Sequence, residues 1–264
     1  MCTPLTMSND DDDDDEDACF ADMGFMFEGA EPSILEKFEW TKGDRIVKVT
    51  LKRADGDPGA VQSGHYLWPA APALAEHLLE RKETPTTILE LGSGCALLSL
   101  TALQVFSNLQ CLVTTDHDPG TLDRAKENHE ITCEEVFADH RLLEQIISVP
   151  IVWELLSWGD EDDAINILKT LQSTINQADA KFDMILGSDL IYDVDVAKPL
   201  LLTVAALMNK KNHARFIMSQ SFPYDDRTET VIDNVCASLG LQRTKIADNL
   251  HQEGGVRIQE YHWK

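Results

Sequence analysis

Residues 88–95 read Ile88-Leu89-Glu90-Leu91-Gly92-Ser93-Gly94-Cys95, and this stretch decides the fold. An apolar run leads directly into two glycines separated by one residue, and a helical pattern over residues 95–106 follows at once. This order is typical of a buried strand that turns sharply into a helix, because glycine lets the backbone bend and approach a ligand closely. Taken alone, Gly92-Ser93-Gly94 is equally compatible with a plain tight turn.

Leu97 and Asp116 indicate which ligand this bend suits. A dinucleotide-binding loop needs a third glycine at position 97, where this chain has leucine, so a pyrophosphate cradle is disfavoured. Asp116 closes the next predicted strand, where a carboxylate accepts hydrogen bonds from ribose hydroxyls. The competing interpretation is that Asp116 caps the helix that begins near Pro119, a role for which Asp118 is better placed. The pattern therefore favours a ribose-containing ligand without a pyrophosphate.

Continuous apolar strands alternate with helical segments along the middle of the chain. We predict strands at 87–91, 110–115, 182–188 and 215–219, and helices at 71–82, 95–106, 119–129, 196–208 and 226–239. Strands without alternating polarity, interleaved with helices, are typical of a parallel sheet covered on both faces, which makes the fold class α/β. Residues 241–246 and 256–263 flank a polar segment containing glycine and predict an antiparallel C-terminal hairpin. Residues 45–53 alternate in polarity and predict a half-buried strand ahead of the main fold.

The charge of the chain is strongly negative, with 22 Lys and Arg against 46 Asp and Glu and a formal net charge of −24. Asp10 to Asp17 are eight consecutive acids, which repel one another and bury no apolar surface. We expect residues 1–30 to be a disordered acidic arm, either a solubilising tail or a docking arm for a basic partner, and residues 31–264 to be the folded domain. Such a charge repels phosphate backbones and anionic lipid, so neither nucleic acid nor a membrane is expected as a direct partner.

The six cysteines are scattered, without a Cys-x-x-Cys pair or a histidine at the spacing of metal ligands, so no metal site is expected. The first residues lack the basic and apolar regions of a secretory signal. Free thiols in a reducing compartment are the expectation, with the cytoplasm favoured and the nucleus as an alternative. No apolar run reaches the roughly 18 to 20 residues that span a bilayer, so we expect a soluble protein.

Four motifs together resemble the seven-β-strand S-adenosylmethionine-dependent methyltransferases. They are Glu90-Leu91-Gly92-Ser93-Gly94, Asp116, Leu156-Ser157-Trp158-Gly159 and Ser188-Asp189-Leu190-Ile191-Tyr192. Over roughly residues 35–264 the chain is most similar to the protein-lysine methyltransferase subgroup called methyltransferase family 16. The glycine bend is common to all such methyltransferases, whereas the Asp-x-x-Tyr motif at 189–192 and the segment 64–71 are more specific to the subgroup.

The resemblance implies a Rossmann-like sheet of seven strands, mostly parallel, with helices on both faces. It implies S-adenosyl-L-methionine as the cofactor and S-adenosyl-L-homocysteine as the product. The implied cofactor contacts are Glu90, Gly92 and Gly94 at the methionine end with Trp68 closing it, Asp116 at the ribose, Trp158 at the adenine, and Ser93 and Ser188 alongside. Asp189 would face the position of methyl transfer, with Tyr192 beside it, as the catalytic pair. In open α/β sheets ligands lie beyond the carboxyl ends of the strands, where Gly92, Asp116 and Asp189 all fall.

Two features keep alternative interpretations. Trp68 and Trp158 are also compatible with ordinary packing, the usual role of large aromatic side chains. The acidic segment 160–181 is either an insertion over the substrate mouth or a solvated helix. An acid at 189, directly after the apolar run 184–186, is costly to bury without partners, so some hydrogen-bonding role is expected for it.

The expected function is N-methylation of a lysine in a basic, non-histone protein by a monomeric enzyme. A lysine ammonium, with a reference pKa near 10.4, must lose its proton before it reacts, and we expect Asp189 and Tyr192 to orient the amine while apolar walls desolvate it. One alternative keeps the cofactor and changes the acceptor to arginine, histidine, a protein N-terminus or a small molecule. Arginine is disfavoured because the double-glutamate loop of arginine methyltransferases is not evident. The other alternative is an inactive methyltransferase fold that only binds a partner.

Overall fold

A two-stranded hairpin opens the part of the chain that the computed structural model describes, which is residues 32–56, 63–210 and 213–264. Strand β1 (Ser33–Lys42) pairs antiparallel with β2 (Arg45–Ala54), and the two form a sheet of their own. The strand predicted at 45–53 is therefore confirmed, and β1 is an addition to the prediction. The acidic arm predicted for residues 1–30 lies outside the described residues and stays a prediction.

The main sheet has seven strands in the order β5-β4-β3-β6-β7-β9-β8. They are β3 (Thr87–Glu90), β4 (Cys111–Asp116), β5 (Ile151–Leu155), β6 (Met184–Ser188), β7 (Arg215–Gln220), β8 (Leu241–Asp248) and β9 (Arg257–Trp263). Strands β3 to β7 pair in parallel, and β9 pairs antiparallel with both β7 and β8. The predicted Rossmann-like α/β fold with an antiparallel C-terminal hairpin is confirmed.

Seven α-helices of the described ranges connect these strands. They are α1 (Ala70–Glu80), α2 (Leu97–Val105), α3 (Pro119–Glu135), α4 (His140–Ile147), α5 (Glu161–Ile175), α6 (Val194–Leu207) and α7 (Asp226–Leu239). None of them combines the length and the apolar character needed to cross a bilayer.

Two apolar layers, one on each face of the main sheet, explain why its strands lack alternation. In β3, Ile88 belongs to the layer that contains α1 and α2, and Leu89 belongs to the layer that contains α5 and α6. The register repeats this division, because Ile88 lies opposite Leu112 and Leu89 lies opposite Val113. With both faces covered by helices, successive residues are all apolar, and only the strand ends are left for polar side chains.

The hairpin is held to the helices by polar side chains that take the place of a neighbouring strand. Each of three side chains on α2 and α3 accepts from the N–H, and donates to the C=O, of one residue of β2. The pairs are Gln104 with Lys48, Asn128 with Lys52 and Thr132 with Thr50, at donor–acceptor distances of 2.7 to 3.2 Å. These bonds satisfy the backbone groups on the edge of β2 that faces the helices, so no further strand is needed there.

Strand β5 was not predicted from the sequence, whereas helix α5 corresponds to one of the two interpretations of the acidic segment 160–181. No strand was predicted at 151–155, because β5 is an edge strand whose side chains are half-buried or exposed and it is short. The acidic segment 160–181 contains α5, and its first acid, Asp160, caps the helix by accepting hydrogen bonds from the N–H groups of Asp162 and Asp163. The buried side of α5 packs in the core through Ala164, Ile167 and Leu171. The segment is therefore observed as a helix.

Candidate active site

One cavity of about 310 Å³ opens beyond the carboxyl ends of β3, β4 and β6. This is where a doubly wound sheet places its ligands. The predicted site residues that line it are Trp68, Gly92, Gly94, Asp116, Trp158, Ser188, Asp189 and Tyr192. The structure thus brings together eight of the ten predicted residues, and the other two, Glu90 and Ser93, lie in the strand and bend beside it.

The glycine bend after β3 requires both of its glycines. Gly92 and Gly94 have positive φ angles of 56° and 51°, which residues with a side chain adopt at a cost. A Cβ added at Gly92 would lie 2.8 Å from a methyl carbon of Leu190 and 3.2 Å from the Trp158 ring. The bare backbone at Gly92 therefore lets Leu190 and Trp158 close on the bend and shapes the middle of the cavity.

Asp116 lies at the end of β4 and is only 6% exposed. Its Oδ2 accepts a hydrogen bond from the Gly94 N–H at 3.1 Å, and its Oδ1 accepts one from the Asp118 N–H at 3.2 Å. The helix cap belongs to Asp118, whose Oδ1 accepts from the Thr121 N–H at 2.7 Å. Asp116 therefore faces the cavity, and its carboxylate keeps acceptor capacity for a hydroxyl pair such as a ribose diol.

Glu90 lies behind the bend rather than in the cavity wall. Its side chain is buried, and Oε2 accepts a hydrogen bond from the Ser99 N–H in α2 at 2.9 Å. Burial raises the pKa of Glu90 to about 8, although the hydrogen bond from Ser99 acts in the opposite direction. Glu90 is thus a buried acid at the end of β3, separated from Gly92 by Leu91 alone.

Ser93 is the polar residue of the bend itself. Its N–H donates to the Thr115 carbonyl at 2.9 Å, which ties the bend to β4. Its hydroxyl oxygen is buried and has no hydrogen-bond partner within the described part of the chain. A buried polar group without a partner costs free energy, so this hydroxyl fits a site completed by a bound polar ligand.

Both predicted tryptophans line the cavity. Trp158 follows β5, and the next residue, Gly159, fastens this loop to α6 by donating its N–H to the Thr203 hydroxyl at 2.8 Å. Trp68 donates its indole N–H to the Ser63 carbonyl at 3.1 Å. Both rings are half-buried and face the cavity, so packing alone does not account for them.

Asp189 and Tyr192 line the cavity from the loop between β6 and α6. Asp189 is 5% exposed and has a φ angle of +52°, whereas Tyr192 is 66% exposed at the mouth. Burial raises the pKa of the Asp189 carboxyl above its ordinary value, although hydrogen bonds from Ser221 and Ala70 act against this shift. The predicted roles of the pair in catalysis stay predictions.

Other cavity residues were not predicted. They are Ser63, Gly64, His117, Leu156, Ser157, Leu190, Val196 and Pro199. His117 was within reach of sequence reasoning because it follows Asp116 directly, and its Nδ1 lies 3.2 Å from the Asp116 Oδ1. Val196 and Pro199 carried no such signal, since on α6 they fit the pattern of an ordinary helix.

No cysteine of the described ranges is among the residues that line this cavity. Cys95, Cys111, Cys133 and Cys236 are free thiols there, and burial raises the pKa of Cys95 to about 12. Cys2 and Cys19 lie outside the described residues. No group of three or more His, Cys, Asp or Glu side chains in residues 32–56, 63–210 and 213–264 is arranged to hold a metal ion.

The sheet order, the glycine bend, the unpartnered Ser93 hydroxyl and the carboxylate at the end of β4 define the class of protein. The fold is that of an S-adenosylmethionine-dependent methyltransferase, and the residues present fit that cofactor. A sequence model described as lysine methyltransferase matches residues 51–231, which is more than half of the chain. The chain therefore belongs to this lysine methyltransferase family.

Curated relatives are similar to this chain over part of their length. The histone-arginine methyltransferase METTL23 of Xenopus laevis is 26% identical over 157 residues, which cover 59% of this chain and 56% of the relative. The protein N-terminal and lysine N-methyltransferase EFM7 of Candida glabrata is 28% identical over 185 residues, which cover 69% of this chain and 65% of the relative. The chain thus spans between half and two thirds of the length of these relatives.

Solved structures with a similar fold are methyltransferases of low sequence identity. A methyltransferase from Pyrococcus furiosus matches with a TM-score of 0.49 and 14% identity, over 74% of this chain and 83% of that one. SMU.776, a putative methyltransferase complexed with SAH, matches with a TM-score of 0.47 and 12% identity, over 85% of this chain and 56% of that one.

Proposed function

We propose that this protein is an S-adenosylmethionine-dependent protein methyltransferase that N-methylates a lysine side chain of a protein substrate. One observation carries the proposal: the Gly92–Gly94 bend, Asp116 and the exposed Tyr192 all line a single cavity. A nucleoside site and an acceptor entrance in one cavity are what methyl transfer requires. The description of the matching family and the lysine activity in the name of the EFM7 relative support lysine as the acceptor.

The chain's own residues mainly bind, orient and exclude water. The bound cofactor supplies a methyl group that its sulfonium already makes electrophilic. Asp116 would hold the ribose hydroxyls, and Trp158 with Leu156 would shield the adenine from solvent. The glycine bend would let the backbone approach the cofactor. Alignment of the two reactants is the largest contribution that such a site makes to the rate.

The acceptor amine reaches the cavity past Tyr192. Its side chain is the exposed aromatic group of the mouth, so its ring packs against the aliphatic part of a lysine and its hydroxyl orients the amine. A lysine amine must be neutral to attack, and the apolar lining of the cavity, which includes Trp68 and Leu190, would remove water from the charged form and lower its pKa. The proton then leaves to solvent through the open mouth.

A second candidate acceptor is the guanidinium of arginine, and one observation favours it. The METTL23 relative, matched over more than half of this chain, is named a histone-arginine methyltransferase. The two acceptors differ in shape, because a planar guanidinium needs a pair of carboxylate oxygens for bidentate binding, whereas a lysine amine is a point charge. The acceptor residue identified in the experiment below decides between them.

Three further properties stay proposals. The substrate is a protein that is basic around its target residue, which the net charge of −24 supports because it attracts cations at long range. The enzyme acts as a monomer. It acts in the cytoplasm, with the nucleus as the alternative compartment.

The test is labelling of a lysate that lacks this protein with methyl-labelled cofactor, followed by identification of the labelled residue by mass spectrometry. Wild-type enzyme is compared with Asp116→Asn and with Asp179→Asn, which makes the same change at an exposed acid before β6. We expect label on lysine with the wild type and with Asp179→Asn, and at least tenfold less with Asp116→Asn. Label on arginine or on an N-terminus would contradict the lysine assignment. Absence of label from every protein would contradict the assignment as a protein methyltransferase.

A further inference from the structure

The carboxylate of Asp189 joins three separate segments of the chain. Its Oδ2 accepts a hydrogen bond from the Ala70 N–H at 3.1 Å. Its Oδ1 accepts from the Ser221 N–H at 2.6 Å and from the Ser221 hydroxyl at 3.0 Å. The segment before α1, the loop after β6 and the loop after β7 therefore meet at one buried side chain, and we call residues 66–70, 188–192 and 219–224 the acceptor loops.

The hydrogen bond from the Ala70 N–H to Asp189 caps the N-terminus of helix α1. Helix α1 begins at Ala70, and the preceding residue, Pro69, has no side chain that can accept a hydrogen bond from the first turn. A carboxylate at a helix N-terminus satisfies a free N–H and interacts favourably with the helix dipole. Asp189 provides this cap from a distant part of the chain, and it fixes the position of Trp68, which lies two residues before α1.

The backbone of the acceptor loops is tied together around the same point. The Asp189 N–H donates to the Ser219 carbonyl at 2.9 Å, and the Ser219 hydroxyl donates to the Ala70 carbonyl at 3.0 Å. Within the loop after β7, the Gln220 amide donates to the Phe222 carbonyl at 2.8 Å. Ala70 is thus held at both its N–H and its C=O.

The backbone of Asp189 is itself adapted to this position. Its φ of +52° lies in the left-handed region, which aspartate and asparagine tolerate better than most residues. The turn brings the carboxylate inward, whereas Tyr192, three residues later, is exposed. A carboxylate has roughly four acceptor positions, and three of them are already occupied by protein donors.

We propose that Asp189 is a positioning residue, whose carboxylate holds the acceptor loops in place, and that it does not take the proton of the acceptor amine. This inference rests on the proposed function. In this arrangement the methyl acceptor is placed by Trp68 and Tyr192, whose segments Asp189 connects. Removal of the carboxylate loosens the acceptor end of the cavity and leaves the cofactor end in place.

Asp189→Asn is the informative variant. Asparagine tolerates the left-handed backbone, and its carbonyl can still accept from Ser221, but its NH₂ group then faces the Ala70 N–H, so that one bond is lost. Ser221→Ala removes only the hydroxyl bond and serves as a second variant if Asp189→Asn does not fold. Asp160→Asn is the matched control, because it makes the same change at the cap of α5, where asparagine caps as well as aspartate.

The first readout is amide hydrogen exchange of the full chain, which needs no substrate. For Asp189→Asn we expect exchange at Ala70 and Ser221 to rise by tenfold or more, with amides of α2 unchanged. For Ser221→Ala we expect a smaller rise, confined to the loop after β7. Unchanged exchange in both variants would overturn the proposal, whether or not the protein proves to be a methyltransferase.

The second readout is kinetic and uses the acceptor protein found by labelling. We expect Asp189→Asn to raise the KM for the acceptor at least fivefold, to change cofactor affinity less than twofold, and to keep the shape of the pH profile of kcat/KM. If instead the acidic limb of that profile disappears in Asp189→Asn, the carboxylate acts on the acceptor proton and the proposal is wrong. Asp160→Asn should match the wild type in every measurement.

Discussion

Asp116 and Asp189 line the same cavity, and they show how similar sequence signals lead to different roles. Asp116 is the last residue of β4, Asp189 directly follows β6, and each is at most 6% exposed. Asp116 accepts two backbone N–H groups from its own surroundings and keeps capacity for a ligand. Asp189 accepts three hydrogen bonds from two other segments. The difference teaches that an acid after a buried strand predicts a carboxylate at the ligand edge, and that the donors around it decide what it does.

We expect substitution of Gly92 in the glycine bend to cause the largest loss of cofactor affinity. Gly92→Ala places a Cβ 2.8 Å from Leu190 and 3.2 Å from Trp158, in a backbone conformation with φ +56°. We expect at least a hundredfold loss of affinity for S-adenosylhomocysteine in calorimetry, because the bend must move away from the ligand.

Gly43→Ala is the control for that substitution. Gly43 has a similar φ of +59°, but a Cβ there meets nothing within 4 Å. We expect it to cost about 1 kcal/mol of folding free energy and to leave cofactor affinity unchanged. Equal loss of affinity in the two variants would mean that strain, rather than the close approach of Leu190 and Trp158, explains the Gly92 result.

Glu90 makes the stability of the folded chain depend on pH. Its folded-state pKa of about 8 lies above its ordinary value of 4.5, so between these pH values the folded chain holds a proton that the unfolded chain has released. The free energy of unfolding therefore falls as pH rises through this window. We expect Glu90→Gln to remove this part of the fall, on the order of a few kcal/mol, in urea unfolding at pH 5, 6.5 and 8. A variant with the same pH slope as the wild type would contradict the assignment.

We expect the smallest effect on activity from substitution of Tyr192. Because its side chain is exposed, Tyr192→Phe keeps the ring and loses only the hydroxyl. We expect kcat to fall between about threefold and tenfold, with unchanged cofactor affinity and stability, as for loss of one partly solvated hydrogen bond. Steady-state kinetics with the identified acceptor measures this. Turnover equal to that of the wild type would show that the ring alone orients the amine.

Much of the fold was predictable because both faces of the sheet are buried. The continuous apolar runs at β3, β4, β6 and β7 predicted parallel strands, and the structure confirms them. Strand β5 was missed because an edge strand with half-buried side chains lacks that signal. The side chains of α2 and α3 that bind β2 could not be predicted either, because the sequence of a helix does not show which distant strand its polar side chains bind.

The site was predictable where a residue is fixed by its own segment. The glycine bend and the acid at the end of β4 are local features, and both line the cavity as expected. The partners of Asp189 were not predictable, because Ala70 and Ser221 come from segments far away in the chain. Val196 and Pro199 reach the cavity for the same reason, through the packing of α6 rather than through a motif.

The different roles of Asp116 and Asp189 are tested most directly by calorimetric titration of S-adenosylhomocysteine into the wild type, Asp116→Asn and Asp189→Asn. We expect one site in the wild type, affinity reduced at least tenfold in Asp116→Asn, and affinity within twofold of the wild type in Asp189→Asn. Absence of binding to the wild type, or equal losses in the two variants, would contradict the division of the cavity into a cofactor end held by Asp116 and an acceptor end held by Asp189.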